Sequence, residues 1–556
     1  MRQEWLADQR STLRWTTTRP PLLDRCWHAL SSRPCLALVL YVCLLPIMEL
    51  LHILQTRAFL RARSIQPHRT REPVSDTAAA ERFWGMIVED ETVDDIVRGW
   101  FVDRDCEAGH DKIAQQQPQR GNVLQLVAWT LFDCDAALLA REEHAKAEAI
   151  LLRLEEARGA PYESGTAPGL ECMRHTLGEL EPVWKPFGFY VAAALLLRLS
   201  ERVLEWRGFE LREAPGGLLY WHLSPETGRS GGSTSGDKHG GGDLGGGSGD
   251  ARCERPIVFM HGVGGLPAYT RFLLQMAAAH PAAPLLLPLF PSCTIRLPTL
   301  SAPPPLRTPQ LVAALEEMVS GTGFAAATFV AHSMGTAYLA ATLRARPALA
   351  RSALFVDPIC FLLYRREVLY NFLYRRPALR RSWWRPSKWF ALALHRVLTQ
   401  EPTMQSCFRR DFWWSQLFLH ADELPCASAV LLAGRDAIVP ALEVERHLRS
   451  ACACAADAAA ECARRTEAPV PSAGPSPELP PSPSLVAEST AAVGVGAGRG
   501  GGAAPLRVEM HEDLGHGMLM MRPHVRRGVL EALAALHDGV AEAAYSSLLS
   551  ERCAAR

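Results

Sequence analysis

Two periods alternate along this chain. Between residues 255 and 358, short runs that are apolar throughout are followed by segments whose apolar residues return every three or four positions. The runs are PIVFMHG, PLLLPLF, ATFVAHS and SALFVDP; the segments between them are YTRFLLQMAAA, PQLVAALEEMVS and MGTAYLAATLRA. A strand without alternation is covered on both faces, so the pattern predicts a mostly parallel sheet with helices on both faces, an α/β fold. ASAVLLAGRD (427–436) and PLRVEMHE (505–512) add two strands. Upstream, GFELREA and LLYWHLS flank a Pro-Gly-Gly turn and predict a hairpin.

Ahead of the sheet the period is helical. NVLQLVAWTLFD and the stretch from Ala145 to Leu154 predict a helical region over 80–205. Within it, GFYVAAALLLRL (188–199) predicts a helix too short to cross a bilayer, facing a core or an interface. The sheet domain runs over 206–545 and is interrupted three times. Residues 226–251 are Gly/Ser-rich and read as a flexible insertion, 361–425 as a helical cap, and 452–504, rich in Ala, Pro, Gly and Ser, as a disordered insertion. The N-terminal region 1–78 contains CLALVLYVCLLPIMELLHIL, from Cys35 to Leu54. Its apolar run, about 14 residues where a span wants about 20, reads first as a single membrane anchor with Glu49 and His52 near headgroup level, the alternatives being a buried or interfacial helix and a targeting segment. Arginines flank it on both sides (Arg25 and Arg33, then Arg57, Arg61 and Arg63), which leaves orientation and compartment open. The segment begins too far into the chain for a secretory peptide.

The junction ATFVAHSMGTAYLAATL carries the strongest chemical signal. A serine between a strand and a helix, with small residues two before and two after, matches a nucleophile elbow. Those small residues are Ala331 and Gly335, with Ala in place of the more usual Gly at the first. The helix beginning at Met334 would aim its positive end at Ser333. A serine needs a base, and the base an orienting acid. Along the chain the order Ser, acid, His is met by Asp436 in LLAGRDAIVP and His516 in HEDLGHGMLM. Asp357 in FVDPICF is the alternative acid, His511 a competing histidine, and His332 is expected to pack or cap. The loop His261-Gly262-Val263-Gly264-Gly265 follows a strand and lets backbone approach an acyl oxygen. The oxyanion donors expected are the Met334 N–H and that of Val263 or Gly264, with His261 and Gly262 beside them.

Composition changes this little. Lys plus Arg and Asp plus Glu both number 59, so net charge points to no charged partner. The 15 cysteines show no CxxC or CxxH pairing, so neither a disulfide framework nor a metal site is expected, and no cofactor is required. The cap is the exception: YRR, YRRP, RRSWWRPSKWF and FRRDFWW interleave arginine and aromatic residues. Two readings stand there, a lid with Trp and Tyr at a membrane surface, or a helical cap whose aromatics form its core. No nucleic-acid motif accompanies the patch.

Together HGVGG, AHSMG, GRDAIV and GHG resemble the α/β-hydrolase superfamily, in its AB-hydrolase-1 group, over about 208–225, 252–450 and 505–540. LFVDPICFLLYRREVLYNFLYRRP and FRRDFWWSQLFL are further similar to a set of fungal and protist hydrolase-like proteins in which a helical region precedes the catalytic domain. The resemblance implies a Ser333–His516–Asp436 triad and serine ester hydrolysis. A small-molecule or lipid ester is the substrate expected from the anchor and cap. Acyl transfer by the same serine, or a silent scaffold that binds lipid or protein, are the alternatives. Oligomeric state is left open.

Overall fold

A computed structural model describes residues 34–64, 77–90, 92–103, 116–225, 254–299, 306–375, 397–412, 414–451 and 506–539. The expected insertions at 226–251 and 452–504, the tryptophan-rich part of the cap (376–396) and residues 1–33 lie outside the described residues.

A small antiparallel pair, β1 (Phe101–Asp103) and β2 (Leu170–Cys172), belongs to the helical region. The main sheet contains β3 (Glu210–Ala214), β4 (Leu218–Leu223), β5 (Ile257–Met260), β6 (Leu285–Pro288), β7 (Ala327–His332), β8 (Ala350–Val356), β9 (Ala427–Ala433) and β10 (Leu506–His511). Their spatial order is β10-β9-β8-β7-β5-β6-β4-β3. Only β4 runs against the rest, pairing antiparallel with β3 and with β6. This is the α/β-hydrolase fold.

The long helices are α1 (Pro34–Ser64), α2 (Thr77–Glu89), α3 (Arg120–Phe132), α4 (Arg141–Arg158), α5 (Phe187–Arg207), α6 (Thr270–Ala279), α7 (Thr308–Ser320), α8 (Met334–Ala345) and α9 (Pro523–His537). The pleat of each buried strand divides its side chains between two cores. Val258, Phe329 and Phe355 pack with Leu311 and Leu315 of α7 and Leu339 of α8. Their neighbours Phe259, Val330 and Leu354 pack with Phe272 and Met276 of α6 and Leu533 of α9. Helices on both faces explain why these strands read as unbroken apolar runs.

After β6 the chain returns to the other side of β5 to lay down β7. Loops leaving the carboxyl ends of β5 and β7 therefore diverge and open a crevice, where open α/β sheets bind ligands.

The helical region continues the first of these cores. Phe83, Trp84, Trp100 and Trp129 belong to the same cluster as Trp414 and Phe418, at the foot of the cap. Trp129 stacks on Trp414 with ring centroids 5.4 Å apart, and Phe83 meets Trp414 edge-on at 4.3 Å. Arg410 donates to the carbonyls of Arg63, Thr176 and Gly178, each at 2.9 Å. Arg409 lies over the Tyr374 ring and bonds Gln405. In this described part of the cap, FRRDF and Trp414 are buried core and clasp, and the surface-lid reading does not hold for them.

The expected anchor also needs correction. Among the described residues no helix is long and apolar enough to cross a membrane. The side chains of residues 34–43 lie outside the description, but the rest of α1 docks on protein. His52 Nε2 lies 2.9 Å from the Lys185 carbonyl, and Glu49 accepts from Phe187 N at 2.9 Å. Thr56 and Phe59 are buried, and Arg63 pairs with Asp411. Glu49 and His52 therefore meet protein partners where headgroups were expected. The helix predicted over 188–199 lies within α5. Of the two expectations, core or interface, the core one fails: the helix exposes Val191, Leu195, Leu196 and Leu199.

Candidate active site

Ser333 sits between β7 and α8 with φ 51° and ψ −119°, a conformation side chains rarely adopt. Crowding around the turn explains the small residues. A Cβ on Gly335 would stand 2.1 Å from the Met260 carbonyl oxygen, so only glycine fits. Ala331 is fully buried within the sheet, where its methyl is accommodated. The serine N–H donates to Val356 O at 3.0 Å, which pins the turn to β8.

Two later loops bring the other groups. Asp436 follows β9 and His516 follows β10. The parallel pairing of these strands sets the loops side by side, so close that a Cβ on Gly434 would meet Glu512 Cα at 2.7 Å. His516 Nε2 lies 2.8 Å from Ser333 Oγ, and its Nδ1 lies 2.6 Å from Asp436 Oδ2. The second oxygen of Asp436 accepts from the N–H groups of Ile438 and Val439 at 2.7 and 2.9 Å. The carboxylate is thus fixed by backbone with one oxygen left for the imidazole. His511 ends β10, opposite Ala433, outside this chain of bonds.

The electrostatics favour a charged imidazole. Burial pushes the His516 pKa down. The Asp436 charge and hydrogen bond, with a further contribution from Asp357, outweigh burial and raise it to about 9.

Asp357 holds the two loops together. Its oxygens accept from Ala433 N at 3.1 Å and Gly517 N at 2.7 Å, so one side chain ties the Asp436 loop to the His516 loop. Burial raises its pKa, but His332 and His516, with the Gly517 bond, bring the carboxyl below the usual range. His332 packs, as expected, with its ring centroid 5.6 Å from that of His516. Its Nδ1 lies 2.8 Å from the Tyr269 hydroxyl. Its Nε2 is 3.6 Å from Asp357, too far for a hydrogen bond.

The loop after β5 narrows the choice of oxyanion donor. Gly264 N donates to Cys293 O at 2.8 Å, and Gly262 N to the Tyr269 hydroxyl at 3.0 Å, so neither amide is open to a ligand. Of the two amides expected, that of Gly264 is therefore taken. The Met334 amide, first in α8, has no partner within the helix. His261 does not reach the crevice. It is buried, accepts from Phe290 N at Nε2 (3.1 Å), and places Nδ1 2.9 Å from the Gly262 carbonyl. Burial, against that bond, lowers its pKa to about 4, so it holds the loop as a neutral ring. Gly262 is needed for approach, since a Cβ there would meet Ser333 Cβ at 3.0 Å.

Sequence reasoning missed Tyr269. Its only signal was a tyrosine opening the helix after the glycine loop, and the bond to His332 spans 63 positions. Asp357, Asp436 and His516 place ligand atoms within 4.8 Å of one another. Most of those atoms already serve the backbone and imidazole bonds above, so the trio reads as a proton-handling group. The arrangement can draw the proton from a serine hydroxyl held at the start of a helix.

No protein-family model matches the chain, and no curated protein matches it. Among solved structures, carboxylesterase CesB from Bacillus subtilis is similar at 9% identity and TM-score 0.33, over 63% of this chain and 99% of its own. A bacterial membrane phospholipase A is 13% identical with TM-score 0.36, over 62% and 93%. The 2-hydroxy-6-oxo-6-phenylhexa-2,4-dienoate hydrolase of Rhodococcus sp. strain RHA1 is 12% identical with TM-score 0.31, over 58% and 99%. The fold assignment rests on the strand order given above.

Proposed function

We propose that this chain is a serine hydrolase of carboxylic esters with an apolar, lipid-like acyl group. The observation that carries the reading is the continuous hydrogen-bonded path from Ser333 through His516 to Asp436, at 2.8 and 2.6 Å, starting at a strained turn. Ser333 Oγ attacks the acyl carbon as His516 Nε2 takes its proton. The carbonyl electron pair moves to oxygen, held by the N–H groups of Met334 and Val263. Each such donor contributes about 2.7–4 kcal/mol in studied hydrolases. His516 then protonates the leaving alkoxide, which departs as alcohol and leaves an acyl-serine. Water, deprotonated by the same imidazole, attacks the acyl-serine; the bond to Ser333 Oγ breaks as His516 returns that proton to it, and the acid is released. Asp436 keeps the ring oriented and stabilises its cation.

We infer also that the enzyme works at a lipid surface, without the support of a spanning helix. Two exposed apolar stripes favour this: Ile47, Leu51 and Leu54 on α1, and Leu195 and Leu199 on α5, with Trp206 at the end of α5. Co-sedimentation with phospholipid vesicles tests it. The full chain should pellet with vesicles, and Leu195→Glu with Leu199→Glu should release it; equal pelleting of both proteins removes this reading.

A fluorophosphonate probe tests the chemistry. Folded protein should be labelled, and Ser333→Ala should abolish labelling. If folded wild-type chain is not labelled, hydrolysis is wrong and a binding scaffold takes its place. Screening p-nitrophenyl esters of increasing acyl length should then show preference for the longer chains.

A further inference from the structure

Among the described residues outside the site above, one cluster of metal-ligating side chains combines burial with an unpartnered atom. It lies at the opposite end of the sheet. Thr328, near the start of β7, is five residues from Ser333, about 16 Å along a strand at its usual rise. There Glu254, His280 and His537 place one ligand atom each within 4.8 Å of the others. We propose that these three residues bind a divalent transition-metal ion of the zinc class, which clamps the base of the sheet.

Four features lead there. First, the donor set of two imidazoles and a carboxylate suits zinc, with one position left for water. Metal–ligand bonds of about 2.0–2.1 Å in tetrahedral geometry set neighbouring donors about 3.3 Å apart. His537 Nε2 and Glu254 Oε2 are already 3.5 Å apart, and the two imidazole centroids 5.2 Å. Second, His280 is 5% exposed and its Nε2 is buried with no hydrogen-bond partner. An orphaned buried acceptor or donor is costly unless something binds it. Third, His537 has the outer support that metal-bound imidazoles have. Its Nδ1 lies 3.1 Å from Thr328 Oγ1, which itself accepts from Ser352 Oγ at 3.1 Å. A ring donating from Nδ1 to that hydroxyl keeps the Nε2 lone pair facing Glu254.

The fourth feature is the field. His280 caps the C-terminus of α6 and His537 is the last residue of α9, helices of 10 and 15 residues. Two negative helix ends thus converge where a cation would sit. Asp538 and Glu254 add negative charge to both rings, while Arg255 acts against it on His537. A cavity of about 150 Å³ reaches one of the three residues, His537, and is bordered also by Ser352, Asp538, Arg255 and Arg351. The three ligands come from three segments: the residues leading into β5, the end of α6 and the end of α9. A bound ion would therefore cross-link sheet and helices without touching the chemistry at Ser333.

The test uses the full chain, stripped with chelator and reloaded with zinc or cobalt. Wild type should retain one equivalent of zinc after gel filtration, show tetrahedral ligand-field bands with cobalt, and gain melting temperature. Glu254→Gln alters an exposed side chain and should fold normally; His280→Gln and His537→Gln probe the buried pair. Each should weaken metal binding at least 10-fold and remove the thermal gain, with fluorophosphonate labelling of Ser333 unchanged. Wild type that retains no metal, or folded variants that retain as much as wild type, overturns the proposal, the second result assigning the metal to other side chains.

Discussion

The two ends of β7 each bring histidines and acids together, and their protons behave in opposite ways. At the carboxyl end, a backbone-fixed Asp436 raises His516 to about 9 despite burial. At the amino end, Glu254 and Asp538 fail to offset burial, and His280 and His537 stay below their ordinary range. Glu254 and Asp538 are both exposed, whereas the Asp436 side chain is 1% exposed. A charge felt through protein acts far more strongly than one felt through water. Under the proposed function, the first end takes and returns a proton. The second leaves one buried nitrogen, His280 Nε2, without a hydrogen-bond partner.

The largest effect should come from removing that difference. Asp436→Asn should lower kcat on an ester substrate by about 10⁴-fold, as loss of the orienting acid does in a serine triad. The pH profile of kcat/KM sharpens the point. With wild type the rate should rise about tenfold per pH unit up to about 9, as the imidazolium loses its proton. In Asp436→Asn the inflexion should move down in pH. A wild-type profile flat from pH 7 to 9 contradicts a base raised by Asp436.

Stability should show two opposite pH trends, both from histidines at the Ser333 end. His516 has a folded pKa above the unfolded value, so its contribution is whole below about 6.5 and disappears as pH rises through about 9. A shift of that size corresponds to something on the order of 3 kcal/mol, and His516→Gln should flatten the alkaline fall in melting temperature. His261 has its folded pKa lowered to about 4, so the unfolded chain takes up its proton first. Stability should therefore fall as pH drops from about 6.5 toward 4, and melting curves at pH 7 and 5 in wild type and His261→Gln measure it.

Tyr269→Phe should give the smallest effect. It removes the hydroxyl shared by Gly262 N and His332, leaving buried partners unmet at about 1–3 kcal/mol. Thermal melts should fall accordingly. Ester turnover should drop modestly, because the loop carrying Val263 loses a tether.

Much of this was legible because burial on both faces writes an unambiguous pattern. β5 to β9 appear as apolar runs, and the Ser333 turn could be recognised from the two small residues that Met260 and the neighbouring strand demand. Asp436 and His516 could be found because each follows a strand. What stayed hidden depends on partners far away in the chain. Nothing in HGVGG reveals that the Gly264 amide is taken by Cys293. The headgroup role expected of Glu49 and His52 fails because Phe187 and Lys185 reach them across more than a hundred residues. Glu254, His280 and His537 have no motif spacing, so a scan for paired ligands passes over them.

The stack of Trp129 on Trp414 has a practical consequence for anyone dividing this protein. Residues 77–207 look like a detachable preface, and a shortened chain starting near Glu210 would seem the natural minimal enzyme. Such a cut would strip Trp414, Phe418 and Arg410 of their cover and leave a greasy scar at the root of the cap. Soluble, active material should come from chains that keep the helices, and crystallographers trimming this molecule should work inward from its insertions.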